Sequence, residues 1–373
     1  MRIVLIADSC FDFMTAGVVQ IISQAEAFLK LGHEVTLLAP VKTNKEQALA
    51  LIKKEFPELA LEIRCLKYDF RYGFSYLWAL RMARIAKNFN ADLVISRHLA
   101  ASFFSAFLAR KTIFEIHKSI SAYGKFSAIF FNYLKKHRLA KFATISQALL
   151  REIAPLLKDV NLSEKIDCFP DGAKQLTGAP ESINLDPLNN KTKIGFLGRL
   201  YQGKGWKTTL QLADLCPYCD FYLLGIAKED LKKAGYPNIT DNLYALGHIP
   251  QYLVGSYLRA CDILIAPFEN RVFDLSGRDI TNFMSPLKIF EYLSCAKPII
   301  VSDLAVLHEI LTPNVNALFA EAENINSWKE KIDLLIQDKA LASKLTESSR
   351  SLFSNNYTWE IRAKNLIKFS EHE

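Results

Sequence analysis

Two α/β domains in series, each a doubly wound parallel sheet of the Rossmann-like kind, are what this 373-residue chain predicts. Three observations lead there. Short apolar runs alternate with segments of helical period from the first residues onward. One stretch without any apolar period, Lys174 to Asn190, interrupts that rhythm. The rhythm then restarts at Lys193 and continues to Val301. The length is sufficient for two separate cores, and 50% hydrophobic residues argue against disorder.

The elements follow in order. Arg2 to Ala7 reads as a buried strand and Val18 to Leu31 as an amphipathic helix ended by Gly32. Glu34 to Ala39, Asp92 to Ser96, Lys111 to Glu115 and Phe142 to Ile145 read as further strands, each followed by a helical pattern. Lys174 to Asn190, rich in Gly, Pro, Ser and Asn, reads as the connection between domains. The second series takes Lys193 to Leu197, Phe221 to Leu224, Leu243 to Leu246, Ile263 to Ala266 and Pro298 to Val301 as strands. The expected organisation is an N-terminal domain over 1–175, a linker over 176–190 and a C-terminal domain over 191–355. A last helix, 356–373, is expected to pack back on the first domain. Two such domains are expected to face a central cleft at the carboxyl ends of both sheets.

Composition narrows the partners. No apolar run has the length of a transmembrane helix. MRIVLIADSC reads as a strand rather than a signal peptide, because Asp8 interrupts it early. Seven cysteines scattered through apolar segments suit a reducing cytoplasm. Cys216 and Cys219 form a lone CxxC without a second pair, which argues against zinc. The net charge of +7 is concentrated with aromatics in two stretches. One runs from Phe70 through Trp78 to Arg81, Arg84 and Lys87. The other runs from Tyr123 through Phe130, Phe131 and Tyr133 to Lys135, Lys136, His137 and Arg138. Such helices suit an anionic membrane surface or an acidic lipid diphosphate; they equally suit helices that cover a sheet with their charges solvated. No nucleic-acid motif accompanies them.

Site chemistry concentrates in SPLKIFEYLSCAKPIIVSD, Ser285 to Asp303. Pro286 suits the first turn of a helix. The N–H groups of Leu287 and Lys288 then join the positive end of the helix dipole, a ready phosphate site. Glu291, one turn on, is placed to accept hydrogen bonds from a ribose. Arg199 and Lys204 flank the glycines of GRLYQGKGW at the end of a strand, where two cations can neutralise a diphosphate leaving group. Gly17 opens the first long helix, where a missing side chain admits a ligand to the backbone. No GxGxxG follows either first strand, which argues against a dinucleotide cofactor.

The series GRLYQGKGW, Leu246 to Pro250, Cys261 to Pro267 and SPLKIFEYLSCAKPIIVSD resembles the retaining GT-B glycosyltransferases of glycosyltransferase family 4, in a branch carrying SPLK. The first domain adds the Gly17 loop, Glu115-Ile116-His117, Ala143 to Ser146 and Phe169 to Ala173, so the likeness runs nearly end to end. The resemblance implies that Arg199 and Lys204 hold the donor's diphosphate, that the amides around Leu287 and Lys288 meet the phosphates, and that Ser285 and Pro286 belong to the same donor-binding segment. It implies ribose binding by Glu291 and closure of the Gly17 loop over the donor. His117 is implied beside the transferred sugar, where its backbone carbonyl steadies developing positive charge; a structural histidine at a strand end is the other reading.

The family's pair of glutamates, with seven residues between them, is incomplete here, because Phe283 occupies the first position. Asp274 and Asp279 are the candidate substitutes for sugar binding. No Asp-x-Asp motif is present, so transfer without a metal or other cofactor is expected, by front-face attack with no protein nucleophile. The expected donor is a nucleotide-diphosphate sugar, UDP-sugar ahead of GDP-mannose. The expected acceptor is a glycan or lipid-linked glycan of surface polysaccharide or lipopolysaccharide synthesis, at the inner face of the plasma membrane. A GT-B-like epimerase or phosphorylase, and a non-catalytic nucleotide-sugar-binding partner, are the rival readings.

Overall fold

The computed structural model describes residues 1–68, 74–176, 183, 185, 189–274 and 276–371. The described chain divides into two compact units, Met1–Gly172 with Trp359–Glu373, and Ala173–Thr358.

The first unit is built on a seven-stranded parallel sheet of order β3-β2-β1-β4-β5-β6-β7. Its strands are β1 Arg2–Ile6, β2 Glu34–Val41, β3 Glu62–Lys67, β4 Leu93–Ser96, β5 Thr112–Ile116, β6 Ala140–Thr144 and β7 Ile166–Cys168. β1 runs beside both β2 and β4, pairing Ile3 with Val35 and with Leu93. The strand order therefore reverses between β1 and β4, and ligands of such sheets bind at the carboxyl ends flanking that point. β1, β4 and β5 are buried on both faces, as near-continuous runs of Val, Ile, Leu and Phe require. The helix Ala16–Lys30 is capped by Thr15, whose hydroxyl accepts from the Val18 N–H at 3.3 Å. The last helix, Trp359–Glu371, lies on this unit through the Lys30–Glu360 ion pair and the packing of Phe369 on Phe169.

The second unit carries a six-stranded parallel sheet of order β10-β9-β8-β11-β12-β13. Its strands are β8 Thr192–Leu197, β9 Cys219–Leu224, β10 Leu243–Gly247, β11 Ile263–Ala266, β12 Ile299–Ser302 and β13 Leu318–Ala320. Successive residues alternate between two cores: Leu264, Ala266, Ile299 and Val301 on one face, Ile263, Ile265 and Ile300 on the other. Here the order reverses between β8 and β11.

Three strands were not expected. β3, β7 and β13 each lie at a sheet edge, where β3 has one fully buried residue and β7 and β13 are three residues long. Short edge strands carry little apolar signal. Leu176, Ile183 and Leu185, expected in the linker, pack against the core of the second unit, Leu185 at 4% exposure. Residues 177–182, 184 and 186–188 of the expected linker lie outside the described residues, as do Phe70 to Gly73 of the first basic aromatic stretch.

Candidate functional site

In the second unit, the expected donor residues gather at the carboxyl end of β8. Gly198 leaves the strand by donating its N–H to Leu224 O at 2.9 Å. Arg199, next in the chain, is exposed. It lines an open cavity of about 400 Å3 together with Leu200, Gly225, Asp230, Lys233 and Ala234. Lys204 follows on a loop that only glycine can make. Gly203 and Gly205 have φ of +81° and +87°, and a Cβ on them would run into Arg271 O and Pro267 O. Gly205 also caps the helix Trp206–Leu215. Burial brings the Lys204 ammonium down to about 8, and the charge of Asp274 opposes that shift.

The helix Leu287–Ser294 is fixed at the same place by Tyr292. Its hydroxyl accepts from Leu197 N–H at 2.8 Å and donates to Ile265 O at 3.0 Å, joining the helix to β8 and β11. Pro286 is the N-cap, one residue earlier than expected, with φ of −78° and ψ of 112°. The N–H groups of Leu287 and Lys288 therefore open the helix, where no intrahelical acceptor exists. Ser285 precedes them, half-buried. Glu291 is half-buried and accepts from Gln251 Nε2 at 2.8 Å. Burial pushes its carboxyl up, against that hydrogen bond and the charge of Lys288. Neither Gln251 nor the Lys288 side chain was singled out from sequence.

Asp274 and Asp279 shape the loop that carries them. Asp274 accepts from Ser276 N–H at 2.8 Å and Arg278 N–H at 3.0 Å, and pairs with the Arg278 guanidinium at 2.8 Å. Asp279 is held at about 2 by Thr281 and Arg271, the latter at 2.9 Å. Phe283, half-buried, ends a turn closed by its N–H to Ile280 O at 3.2 Å.

In the first unit, Gly17 and His117 belong to a buried charge network. A Cβ on Gly17 would collide with Ser9 Oγ, and Gly17 O accepts from Arg97 Nη1 at 3.0 Å. Arg97, 8% exposed at the end of β4, also donates to Gln20 Oε1 at 3.0 Å and lies 3.4 Å from Asp8. Gln20 donates to Glu115 at 2.9 Å and to Asp171 at 3.3 Å. His117 Nε2 lies 2.6 Å from Glu115 Oε1, and its backbone N–H donates to Tyr123 Oη at 2.9 Å. Arg362, from the last helix, completes the set at 3.0 Å from Glu115.

Glu115 and Asp171 are two carboxylates in one network, and their environments drive them apart. Burial alone would raise Glu115, but Arg362 first, then His117 and Arg97, hold it well below the carboxylate range. Asp171 is pushed up by burial despite the same cations. With Glu115 ionised, its short contact assigns a proton to His117 Nε2 and fixes the ring. Among the described residues no group of three or more His, Cys, Asp and Glu is gathered as a metal would require.

Comparison with known proteins bears on the family and the fold. Residues 17–170 match the family model described as Glycosyltransferase Family 4, and residues 191–338 the one described as Glycosyl transferases group 1. An uncharacterized glycosyltransferase of Methanocaldococcus jannaschii is 25% identical over 300 residues, covering 77% of this chain and 78% of that protein. A glycosyltransferase from Rickettsia africae ESF-5 shares the fold at TM-score 0.72 and 15% identity, over 99% of this chain and 97% of that one. Anabaena HepE, solved with UDP and with UDP-glucose, does so at TM-score 0.69 and 13% identity in its UDP complex, over 99% of both chains. With one family model on each sheet and a GT-B fold throughout, the chain belongs to the family 4 glycosyltransferases.

Proposed function

We propose that this enzyme is a retaining glycosyltransferase that moves a sugar from a nucleotide-diphosphate donor to a glycan or lipid-linked acceptor. One observation carries the reading: Lys288, in the opening turn of helix Leu287–Ser294, donates to Lys204 O at 3.3 Å and lies beside Gly198 at the carboxyl end of β8, with Arg199 next in the chain and Glu291 one turn further along the helix. Cations and helix amides suit the diphosphate, and the carboxylate suits ribose hydroxyls. A UDP-sugar is the favoured donor, supported by the UDP-bound Anabaena relative; GDP-mannose is next. Surface polysaccharide or lipopolysaccharide synthesis is the pathway class that the family resemblance favours.

In the proposed reaction, Arg199 and Lys204 stabilise negative charge as the sugar–phosphate bond breaks. The departing phosphate oxygen takes the acceptor's proton on the face from which the acceptor attacks. Configuration is then retained without a protein nucleophile. These cations and the helix amides supply the positive charge that a metal supplies elsewhere, so activity is expected to survive chelation. His117, oriented by Glu115, serves beside the sugar through its backbone carbonyl. Asp274, whose charge bears on Lys204, is the better placed of the two candidate sugar-binding aspartates.

Combining Arg199→Ala with Lys204→Ala is expected to lower donor hydrolysis and transfer at least about a hundredfold while the fold is kept. Retained activity in the folded double variant would remove the assignment. A thermal-shift screen of UDP-, GDP-, ADP- and CMP-sugars then fixes the donor, since a ligand of the native state raises the melting temperature.

A peripheral contact with an anionic membrane is proposed for the first unit. Leu77, Phe107 and Ile129 are each more than 60% exposed, on helices that also expose Arg81, Arg84, Lys87 and Lys136. Lys135 is not part of that surface: it is buried and donates to Leu156 O and Asp159, both at 2.9 Å. Among the described residues no helix is long and apolar enough to cross a membrane. Co-sedimentation with phosphatidylglycerol vesicles, lost at high salt and weakened by Arg81→Glu with Arg84→Glu, is the expected result. Equal binding to neutral vesicles would refute an electrostatic contact.

A further inference from the structure

The donor site holds a lysine, the last residue of SPLK, whose side chain the argument from helix amides does not use. Lys288 is 9% exposed. It donates to Lys204 O at 3.3 Å and sits over the rings of Phe196 and Phe268, 4.7 and 4.4 Å from their centroids. Lys204 Nζ lies over the same Phe268 ring, at 5.8 Å. A Cβ on Gly198 would stand 3.8 Å from Lys288 Nζ, so the ammonium lies directly beside the end of β8 that carries Arg199.

Two lysine side chains therefore share one aromatic floor at the strand end. The charged groups bearing on Lys288 are Lys204, from the loop after β8, and Glu291, on its own helix; Asp274 bears on Lys204. Glu291 is drawn toward Gln251, and Asp274 is engaged with Ser276 and Arg278. With both lysines protonated the pocket would therefore carry more positive charge than its own carboxylates answer. An arriving diphosphate is the ligand that would balance it.

We infer that the Lys288 side chain is a third cation of the diphosphate subsite, and that it takes up a proton from solvent as the donor binds. The inference rests on the nucleotide-sugar reading above and deepens it. Burial, then the neighbouring Lys204 charge, holds the Lys288 ammonium well below the usual lysine range, so the unliganded site favours the neutral amine. A diphosphate reverses that preference: its charge stabilises the ammonium, and buffer acid or water supplies the proton. The neutral amine keeps two like charges from meeting in the unliganded pocket. Donor affinity then becomes coupled to pH through the pocket itself.

Calorimetric titration of the full chain with UDP-glucose and with GDP-mannose tests this, in buffers of low and high ionisation enthalpy. These diphosphate diesters carry no group that titrates near neutrality, so any linked proton belongs to the protein. The expected result is net proton uptake with whichever donor binds. Lys288→Arg, permanently charged, should bind while losing most of that uptake. Lys288→Met should lose uptake and weaken binding about tenfold or more, with the melting temperature confirming the fold. Uptake unchanged in Lys288→Arg would move the proton to Lys204 and overturn the inference, as would full affinity in folded Lys288→Met. Binding without any buffer dependence in the parent chain overturns the proton coupling alone and leaves the donor reading intact. Failure of every nucleotide sugar to bind overturns the donor reading first.

Discussion

His98 shows how a single half-buried side chain links local structure to pH. It caps the helix Leu99–Phe107 by accepting the Ala101 N–H on Nδ1 at 3.3 Å, with its ring 5.5 Å from that of Trp78. Burial brings it down to about 4, with Lys118 adding to the shift and Asp8 opposing it. The folded protein thus binds this proton less readily than the unfolded chain, whose histidine titrates near 6.5. Its contribution to stability is complete above that value and is lost as pH falls toward the folded value, amounting to about 3 kcal/mol. His98→Asn retains a capping acceptor and removes the titration. Urea denaturation across this window should show a shallower acid-side loss of stability in the variant; an unchanged slope would exclude His98 as its source.

Elements, rather than single residues, set the position of Lys204. The loop between β8 and helix Trp206–Leu215 turns through two glycines with positive φ, each pressed against backbone carbonyls of the 267–271 segment. Gly205→Ala meets both a left-handed conformation and a collision with Pro267 O. Gly235, at φ +89° with nothing within 4 Å of a Cβ, isolates the first effect. Gly235→Ala should cost about 1–2 kcal/mol and leave donor binding unchanged. Gly205→Ala should cost more and also weaken donor binding, because the loop must move and Lys204 with it. Equal losses of stability and of affinity in the two variants would contradict this account.

The same scale separates what sequence could tell from what it could not. The positions of Arg199, Lys204 and the 285–291 segment at a strand end and a helix start were legible, because each lies within a few residues of the pattern that forms the element. The local pattern that forms the element also aims the residue. Gln251 meeting Glu291, and Arg97 meeting Asp8, depend on which strands neighbour one another. That order follows from sheet topology, which no local spacing encodes. The edge strands β3, β7 and β13 escaped for a related reason: an edge needs fewer apolar residues than a centre. Lys288 was read through its amide because a lysine at a helix start is usually a solvated charge. Only the rings of Phe196 and Phe268, brought from two other segments, turn it into a buried one.

At the scale of the whole molecule, the chain leaves the first unit at Gly172 and returns to it at Trp359, so its last helix belongs to its first fold. That return contributes Trp359, Ala363, Leu366 and Phe369 to the apolar interior. It also delivers Arg362 to Glu115, both at most 3% exposed. The guanidinium further donates to Pro170 O at 3.1 Å, tying down the segment that carries Asp171. Without Arg362, Glu115 is a buried carboxylate deprived of its main counterion, a loss of about 3–5 kcal/mol. A chain ending at Thr358 should therefore lose the melting transition of the first unit, while the second unit, complete by that residue, melts as before. Lost burial alone would give the same result, so the charge must be isolated. Arg362→Met should destabilise the first unit by about that amount, and adding Glu115→Gln should recover much of it, since a neutral amide needs no counterion. If the double variant is no more stable than Arg362→Met, the last helix holds the first unit by packing alone, and the orientation of His117 has another source.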